Sequence, residues 1–178
     1  MTIKKVEVGH YSIPLPVVLS DSMHGDMSGF ELMTVRVSDV EGREGLGYTY
    51  TLGAGARAIH SVMEADMVPF LLGRDETRIE EIWQSLWWKL HYAGRGGLAI
   101  HALSAIDVAL WDLLGKRTDL PLWRLLGGSN PEVKAYAGGI DLMFTLDELL
   151  AQTEKNLSKG FRAIKMKVGR DNLYEDIE

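Results

Sequence analysis

The spacing of apolar residues changes twice along the chain, near residue 53 and near residue 129, and these changes restrict the fold more than any other feature. Before the first change, apolar and polar residues alternate, as they do from Met33 to Ser38, which is typical of half-buried strands. After it the period rises to about 3.6, which is typical of amphipathic helices. After the second change, strand-like and helical segments alternate. We therefore expect an α+β domain followed by the start of an α/β domain.

A small sheet is expected at the start of the first domain. Strand patterns cover residues 3–13, 30–39 and 46–51, and a polar, glycine-punctuated loop is expected over 19–29. Because the connections are short, the three strands should form an antiparallel meander.

Helical patterns follow the sheet. Pro69 should end or kink the first helix because it lacks an N–H donor. Thr77 and Glu80 form a capping-box pattern at the start of the second. The third is predicted from about Leu98 to Lys116, with a small-residue face suited to close packing at Ala102, Ala105 and Ala109.

The second domain opens with a β-α-β pattern. Strand patterns at 133–140 and 161–169 flank a helix that begins with a capping box at Thr145 and Glu148. This order predicts parallel strands joined by a right-handed crossover. The predicted domains are therefore residues 1–128 and residues 129–178.

Composition excludes several classes of function. The net charge is −6 and there is no block of basic residues, so we expect neither a nucleic-acid partner nor a membrane partner. The chain has no cysteine, which excludes disulfides and thiolate chemistry. The N-terminus shows no signal-peptide pattern, and we expect a cytoplasmic protein.

Lys165 and Lys167 lie two apart in the apolar segment FRAIKMKVG. In a strand they share one face, while Ile164, Met166 and Val168 share the other. In an open sheet this face would be solvated. In a closed barrel it would point inward, near the strand ends that carry active sites. Two neighbouring ammonium groups would then lower the pKa of one towards a value useful for a base.

The segment GFRAIKMKVG resembles the Lys-x-Lys motif of the mandelate racemase/muconate lactonizing enzyme group of the enolase superfamily. The segments SAIDVALWDLLGK and LPLWRLLGG resemble the last capping-domain helix and linker of that group, and the resemblance covers the whole chain. Four further segments are most similar to the sugar-acid (anhydrogalactonate) cycloisomerases of the group: HGDMSGFELMTVRV, GYTYTLG, HYAGRGG and YAGGIDL.

The resemblance implies an α+β capping domain followed by the first two βα units of a TIM-type barrel. It also implies a Mg²⁺-dependent enzyme that removes the proton α to the carboxylate of a sugar acid through an ene-diolate. Lys167 would be the base, and Lys165 its electrostatic partner. A sugar-acid cycloisomerase is the favoured reading, with an acid-sugar dehydratase or racemase as the alternative, and a homo-oligomer is expected at full length.

The chain departs from the group in what it lacks. The Mg²⁺ ligands implied by the resemblance would lie beyond residue 178, so no metal ligand is assigned within the chain. A closed barrel needs eight strands and about 250 residues. The 178 residues alone are therefore expected to be inactive.

Two segments resemble the loops that cover the substrate in this group. His24 and Asp26 lie in the first, where they could contact sugar hydroxyls or simply form an exposed polar turn. Tyr48 and Tyr50 share a strand face at the second, where they could line the site or belong to the core.

Two further residues are weaker candidates for substrate binding. Arg95 could meet an anion near a helix N-terminus or form a structural salt bridge. Tyr136 ends the first barrel strand, where it could line the mouth. Asp107 and Asp112 are assigned to structural hydrogen bonds at the cap–barrel contact, because residues five apart do not share a helix face.

Two rival functions belong to other classes. The segment from Gly53 to Ala58 satisfies G-x-G-x-x-A after a strand and before a helix, which is the skeleton of a dinucleotide-binding turn. The acidic residue and the second parallel strand of that motif are not apparent. The other rival is a truncated, non-catalytic capping-domain protein that serves as an interaction module.

Overall fold

The computed structural model describes residues 1–177. These residues form two compact units. The first contains Met1–Ile13 and Phe30–Ser129, and the second contains Pro14–Gly29 and the chain from Asn130 onward. The first hairpin is therefore shared between the units, with its tip in the second. The predicted division at residue 128 did not include this tip.

Three strands form the antiparallel sheet: β1 (Ile3–Asp21), β2 (Gly25–Asp39) and β3 (Glu44–Thr51), in the order β1-β2-β3. Strands β2 and β3 pair from Glu31 with Thr51 to Ser38 with Glu44. Met33, Val35 and Val37 are fully buried, as their alternation predicts. The predicted meander is confirmed.

The helices of the first unit are α1 (Ala56–Val62), α2 (Val68–Leu71), α3 (Ile79–Lys89), α4 (Leu98–Thr118) and α5 (Leu122–Leu125). A π-helical turn over Met63–Met67 joins α1 to α2, directly before Pro69. Proline has no N–H to donate and crowds the carbonyl four residues earlier, so the backbone widens there. The regular α-helix is therefore interrupted before Pro69, although helical residues continue to Leu71.

Helix α4 packs against strand β3 at very short range. A Cβ on Gly47 would lie 1.9 Å from the carbonyl oxygen of Ala105, and one on Gly45 would lie 2.0 Å from that of Ala109. Ala105 and Ala109 are fully buried. The small-residue face predicted for this helix therefore contacts a strand that has glycine at two alternate positions, Gly45 and Gly47.

Helix α4 is also the one helix of residues 1–177 that is long and apolar enough to cross a membrane by length and composition alone. Half of its apolar stretch is buried within the structure, as expected for a core helix. It contributes Leu103, Ile106, Leu110 and Leu113 to the core of the first unit.

The second unit contains β4 (Ala137–Gly138), α6 (Leu146–Ser158) and β5 (Ile164–Lys165), and β4 and β5 pair in parallel. The predicted capping box of α6 is confirmed, because Glu148 N donates to Thr145 Oγ1 and Thr145 N donates to Glu148 Oε2. Both strands are shorter than their sequence patterns predict.

Two predictions of local structure were wrong. Strands β1 and β2 run through most of the predicted loop 19–29, leaving a turn at 22–24, because Ser20 pairs with Asp141 and keeps the backbone extended. Thr77 does not cap α3, whose N-cap is Arg78. The hydroxyl of Thr77 instead donates to Asp75 Oδ1 at 2.8 Å.

Candidate active site

Lys167 is held at two points within the second unit. It lies two residues beyond β5, and its backbone N–H donates a hydrogen bond to Asp141 Oδ1 at 2.9 Å. Its Nζ lies 3.6 Å from Asp21 Oδ2, and 24% of its side chain is exposed. Both the backbone and the ammonium group of this residue are therefore fixed by carboxylates.

Asp141 lies after β4 and is buried. Its Oδ2 accepts a hydrogen bond from Gln152 Nε2 of α6 at 2.6 Å, while its Oδ1 accepts from Lys167. The backbone around it is fixed by the hairpin tip, since Leu142 N donates to the carbonyl of Ser20 at 3.2 Å. One buried carboxylate therefore joins a strand end, a helix and the lysine segment.

Asp21 ends β1 at the hairpin tip. Its Oδ1 accepts hydrogen bonds from the backbone N–H of Met23 at 2.9 Å and of His24 at 2.8 Å. The ring Nδ1 of His24 lies 2.9 Å from the same oxygen. Hydrogen bonds from the ring and backbone of His24, together with that from Met23, hold the pKa of Asp21 well below its usual range. Asp21 is therefore an anion beside the ammonium group of Lys167.

A cavity of about 700 Å³ lies beside this cluster, lined by the hairpin tip, the segment before α6 and the turn after Lys167. Asp21, Asp26, Phe144, Arg170 and Asn172 are among its lining residues. Arg170 is held by Asp176 and by the carbonyl of Phe144. Neither lysine of the Lys-x-Lys motif is among the lining residues in the described part of the chain.

The structure places the two lysines in different surroundings. Lys165 is exposed and lies in β5, where its carbonyl accepts a hydrogen bond from Gly139 N at 2.8 Å. Lys167 is partly buried. His24, in the turn before β2, is bound to Asp21, while Asp26, near the start of β2, is exposed at the cavity wall.

The remaining candidates are scattered. Tyr48 and Tyr50 are both more than half exposed, and the ring of Tyr50 meets Phe30 edge-on at 5.5 Å. The guanidinium of Arg95 lies 3.7 Å from the ring centre of Trp87, a cation–π contact that neither sequence interpretation named. Tyr136 is exposed directly before β4.

Sequence reasoning missed Asp21 and Asp141. Asp141 directly follows the strand pattern that ends at Ile140, and a polar residue at such a strand end is a recognised signal in parallel α/β folds. Asp21 lies in the predicted loop 19–29, in which only His24 and Asp26 were considered as candidates. Nothing local to the sequence indicates that it meets Lys167.

The structure bears on two other kinds of site, a metal site and a dinucleotide-binding turn. No group of three or more His, Cys, Asp or Glu side chains within residues 1–177 could hold a metal ion. The dinucleotide reading was wrong, because Gly53–Ala58 follows the antiparallel strand β3.

Asp112 was predicted to form hydrogen bonds at the cap–barrel contact. Its Oδ2 accepts hydrogen bonds from Leu46 N and Lys116 Nζ, and both donors belong to the first unit.

The fold and the lysine site together define the type of protein: a capping domain joined to a parallel β-α-β segment that ends in a Lys-x-Lys motif. The family description "Mandelate racemase / muconate lactonizing enzyme, N-terminal domain" matches residues 3–127. The chain belongs to this family. Its α+β sheet-and-helix unit is the N-terminal capping domain of these enzymes.

Three matches support this membership. A 3,6-anhydro-alpha-L-galactonate cycloisomerase from Streptomyces coelicolor is 54% identical over 99% of this chain and 49% of that protein. The crystal structure of a racemase from Streptomyces coelicolor with bound magnesium is 54% identical, with a TM-score of 0.95 over 98% of this chain and 49% of that one.

The third is the structure of L-talarate/galactarate dehydratase from Salmonella typhimurium, liganded with Mg and L-lyxarohydroxamate. It is 32% identical, with a TM-score of 0.92 over 99% of this chain and 46% of that one. The chain thus spans about half the length of the relatives it matches.

Proposed function

We propose that this chain is the N-terminal part of a Mg²⁺-dependent acid-sugar enzyme, in which Lys167 removes the proton α to a carboxylate. The observation that carries the proposal is the fixing of Lys167 by Asp141 and Asp21 at the end of a parallel strand. A base must present its nitrogen in a defined place, and a free lysine side chain is flexible. Lys165 is the second positive charge of the motif.

A sugar-acid cycloisomerase is the reaction we favour, because a cycloisomerase is among the relatives and shares 54% identity with nearly the whole chain. A dehydratase is the second candidate, supported by the talarate/galactarate dehydratase structure at 32% identity. Both reactions begin with the same proton abstraction. They differ in the mass of the product, since dehydration removes one water and cycloisomerisation removes none.

Magnesium enters the proposal through the relatives whose structures carry it. The described residues do not form a site for it. Its ligands would come from parts of the enzyme outside these 178 residues, and the role of Lys167 is therefore argued from the lysine and its carboxylate partners alone.

The test is the Lys167→Ala variant of the full-length enzyme, incubated with anhydro-galactonate and galactarate. Turnover should fall by roughly 10²–10⁴-fold, the usual contribution of a general base. Magnesium binding, measured by calorimetry, should be retained. The matched control is Lys159→Ala, which removes an exposed lysine of the same unit and should leave turnover unchanged. Turnover within tenfold of wild type in Lys167→Ala would overturn the proposal. Product mass then separates the cycloisomerase from the dehydratase.

A further inference from the structure

Lys167 and the hairpin tip are linked by charge. The Nζ of Lys167 lies 3.6 Å from Asp21 Oδ2, and only 12% of the Asp21 side chain is exposed. The segments also meet sterically, because a Cβ on Gly169 would lie 3.0 Å from Cβ of Ser22. The tip of the first hairpin and the lysine segment are therefore packed together within one unit.

Asp21 is well suited to hold a cation in place. Two backbone N–H groups and the ring of His24 bind its Oδ1 at 2.8–2.9 Å, which fixes the carboxylate at the turn. Its Oδ2 lies 3.6 Å from Lys167 Nζ and 3.0 Å from the ring Nδ1 of His24. An anion fixed by its own turn can order a lysine, whose free side chain is flexible.

We propose that Asp21 is a positioning residue for Lys167: its carboxylate holds the lysine ammonium group at the end of β5 and ties the hairpin tip to the proposed base. The role of Asp21 in catalysis rests on the function proposed above for Lys167. The ion pair between Asp21 and Lys167 does not rest on that function, and it can be measured without substrate.

The other charged groups around Lys167 are Lys165 on its own strand, Asp141 after β4, His24 bound to Asp21, and Arg170 bound to Asp176. Among the carboxylates of residues 1–177, Asp21 is the one that forms an ion pair with Lys167 Nζ.

The experiment measures the mobility of the Lys167 side chain in the full-length enzyme by ¹³C NMR relaxation after reductive methylation of the lysines, with the Lys167 resonance assigned from Lys167→Arg. In Asp21→Asn the order parameter of the Lys167 methyl groups should fall towards that of the exposed Lys159, because the side chain loses the carboxylate that holds it. Asp21→Glu, which keeps the charge, should restore most of the lost order. Asp26→Asn removes a carboxylate from the same hairpin and should leave the order parameter of Lys167 unchanged.

An order parameter of Lys167 that does not fall in Asp21→Asn overturns the inference, and so does an equal fall in Asp26→Asn, which would indicate a general loosening of the hairpin. Because no turnover is needed, these outcomes are independent of the proposed function.

The same variants give a second readout in steady-state kinetics. In Asp21→Asn kcat should fall while KM changes little, because a misplaced base slows proton transfer more than it weakens substrate binding. A raised KM with an unchanged kcat would show that Asp21 acts on substrate binding rather than on Lys167, and would also overturn the inference.

Discussion

The backbone N–H of Lys167 donates a hydrogen bond to Asp141 Oδ1 at 2.9 Å, across 26 residues of sequence. The same carboxylate accepts from Gln152 of α6, so the crossover helix and the second strand of the β-α-β unit are joined through one buried side chain. This bond positions the lysine backbone without touching its ammonium group.

Replacing Asp141 with alanine should destabilise the second unit. The N–H of Lys167 and the amide of Gln152 would each lose an acceptor, which costs about 1–3 kcal/mol in the free energy of unfolding. Urea denaturation measures this loss, and amide exchange at Lys167 should accelerate. The exposed Glu154→Ala in the same helix is the control and should change stability by less than about 0.5 kcal/mol. Unchanged exchange at Lys167 in Asp141→Ala would contradict this prediction.

Gly47→Ala should be strongly destabilising. The added Cβ would lie 1.9 Å from the carbonyl oxygen of Ala105, so β3 and α4 would have to move apart, at a cost of about 3 kcal/mol. Thermal denaturation should show the loss as a lower Tm. The matched control is Gly96→Ala, because a Cβ there meets nothing within 4 Å. Equal Tm values for the two variants would show that the strand and helix are not in close contact.

The buried pair of Glu76 and Arg117 should behave asymmetrically. Glu76 is 1% exposed and Arg117 donates to its Oε1 at 3.0 Å, while Oε2 finds no partner among residues 1–177. Arg117→Met leaves a buried carboxylate without its cation and should cost about 2–3 kcal/mol, less than for a fully buried pair because Arg117 is a quarter exposed.

The double variant Glu76→Leu/Arg117→Met is the control for this pair. It removes both charges and should recover most of the lost stability in urea denaturation, because no buried ion remains. A double variant no more stable than Arg117→Met would show that the charge of Glu76 is not the source of the loss.

Much of the first unit could be predicted from its sequence because its signals are local. The alternation of Met33, Val35 and Val37 and the small face of α4 each reflect burial against one partner, and that burial is observed. The capping box of Thr77 failed for an equally local reason, since a turn in which Arg78 N donates to the carbonyl of Asp75 starts the helix one residue later, with Arg78 at the N-cap.

The candidate site was less predictable because its contacts are long-range. The two lysines could be found from their spacing, whereas Asp21 lies far from Lys167 in sequence and meets it only once the hairpin tip has packed within the second unit. The extended backbone at Ser20 has the same origin, because its partner Asp141 belongs to another part of the chain. The polar residues around Ser20 indicated a loop, whereas pairing with a residue that is distant in sequence makes this segment a strand.

Asp107 should make stability depend on pH in a direction opposite to that of most carboxylates. Burial on α4, reinforced by the charge of Glu80 on α3, raises the pKa of Asp107. The folded state then binds the proton more tightly than the unfolded chain. The stability that this group contributes is complete below its unfolded pKa and is lost as the pH rises through its folded pKa. Asp107→Asn should therefore be more stable than wild type at pH 7 in urea denaturation, with the gain vanishing near pH 3. The exposed Asp66→Asn is the control and should show no such trend. A gain that persists unchanged at low pH would contradict the assigned cause.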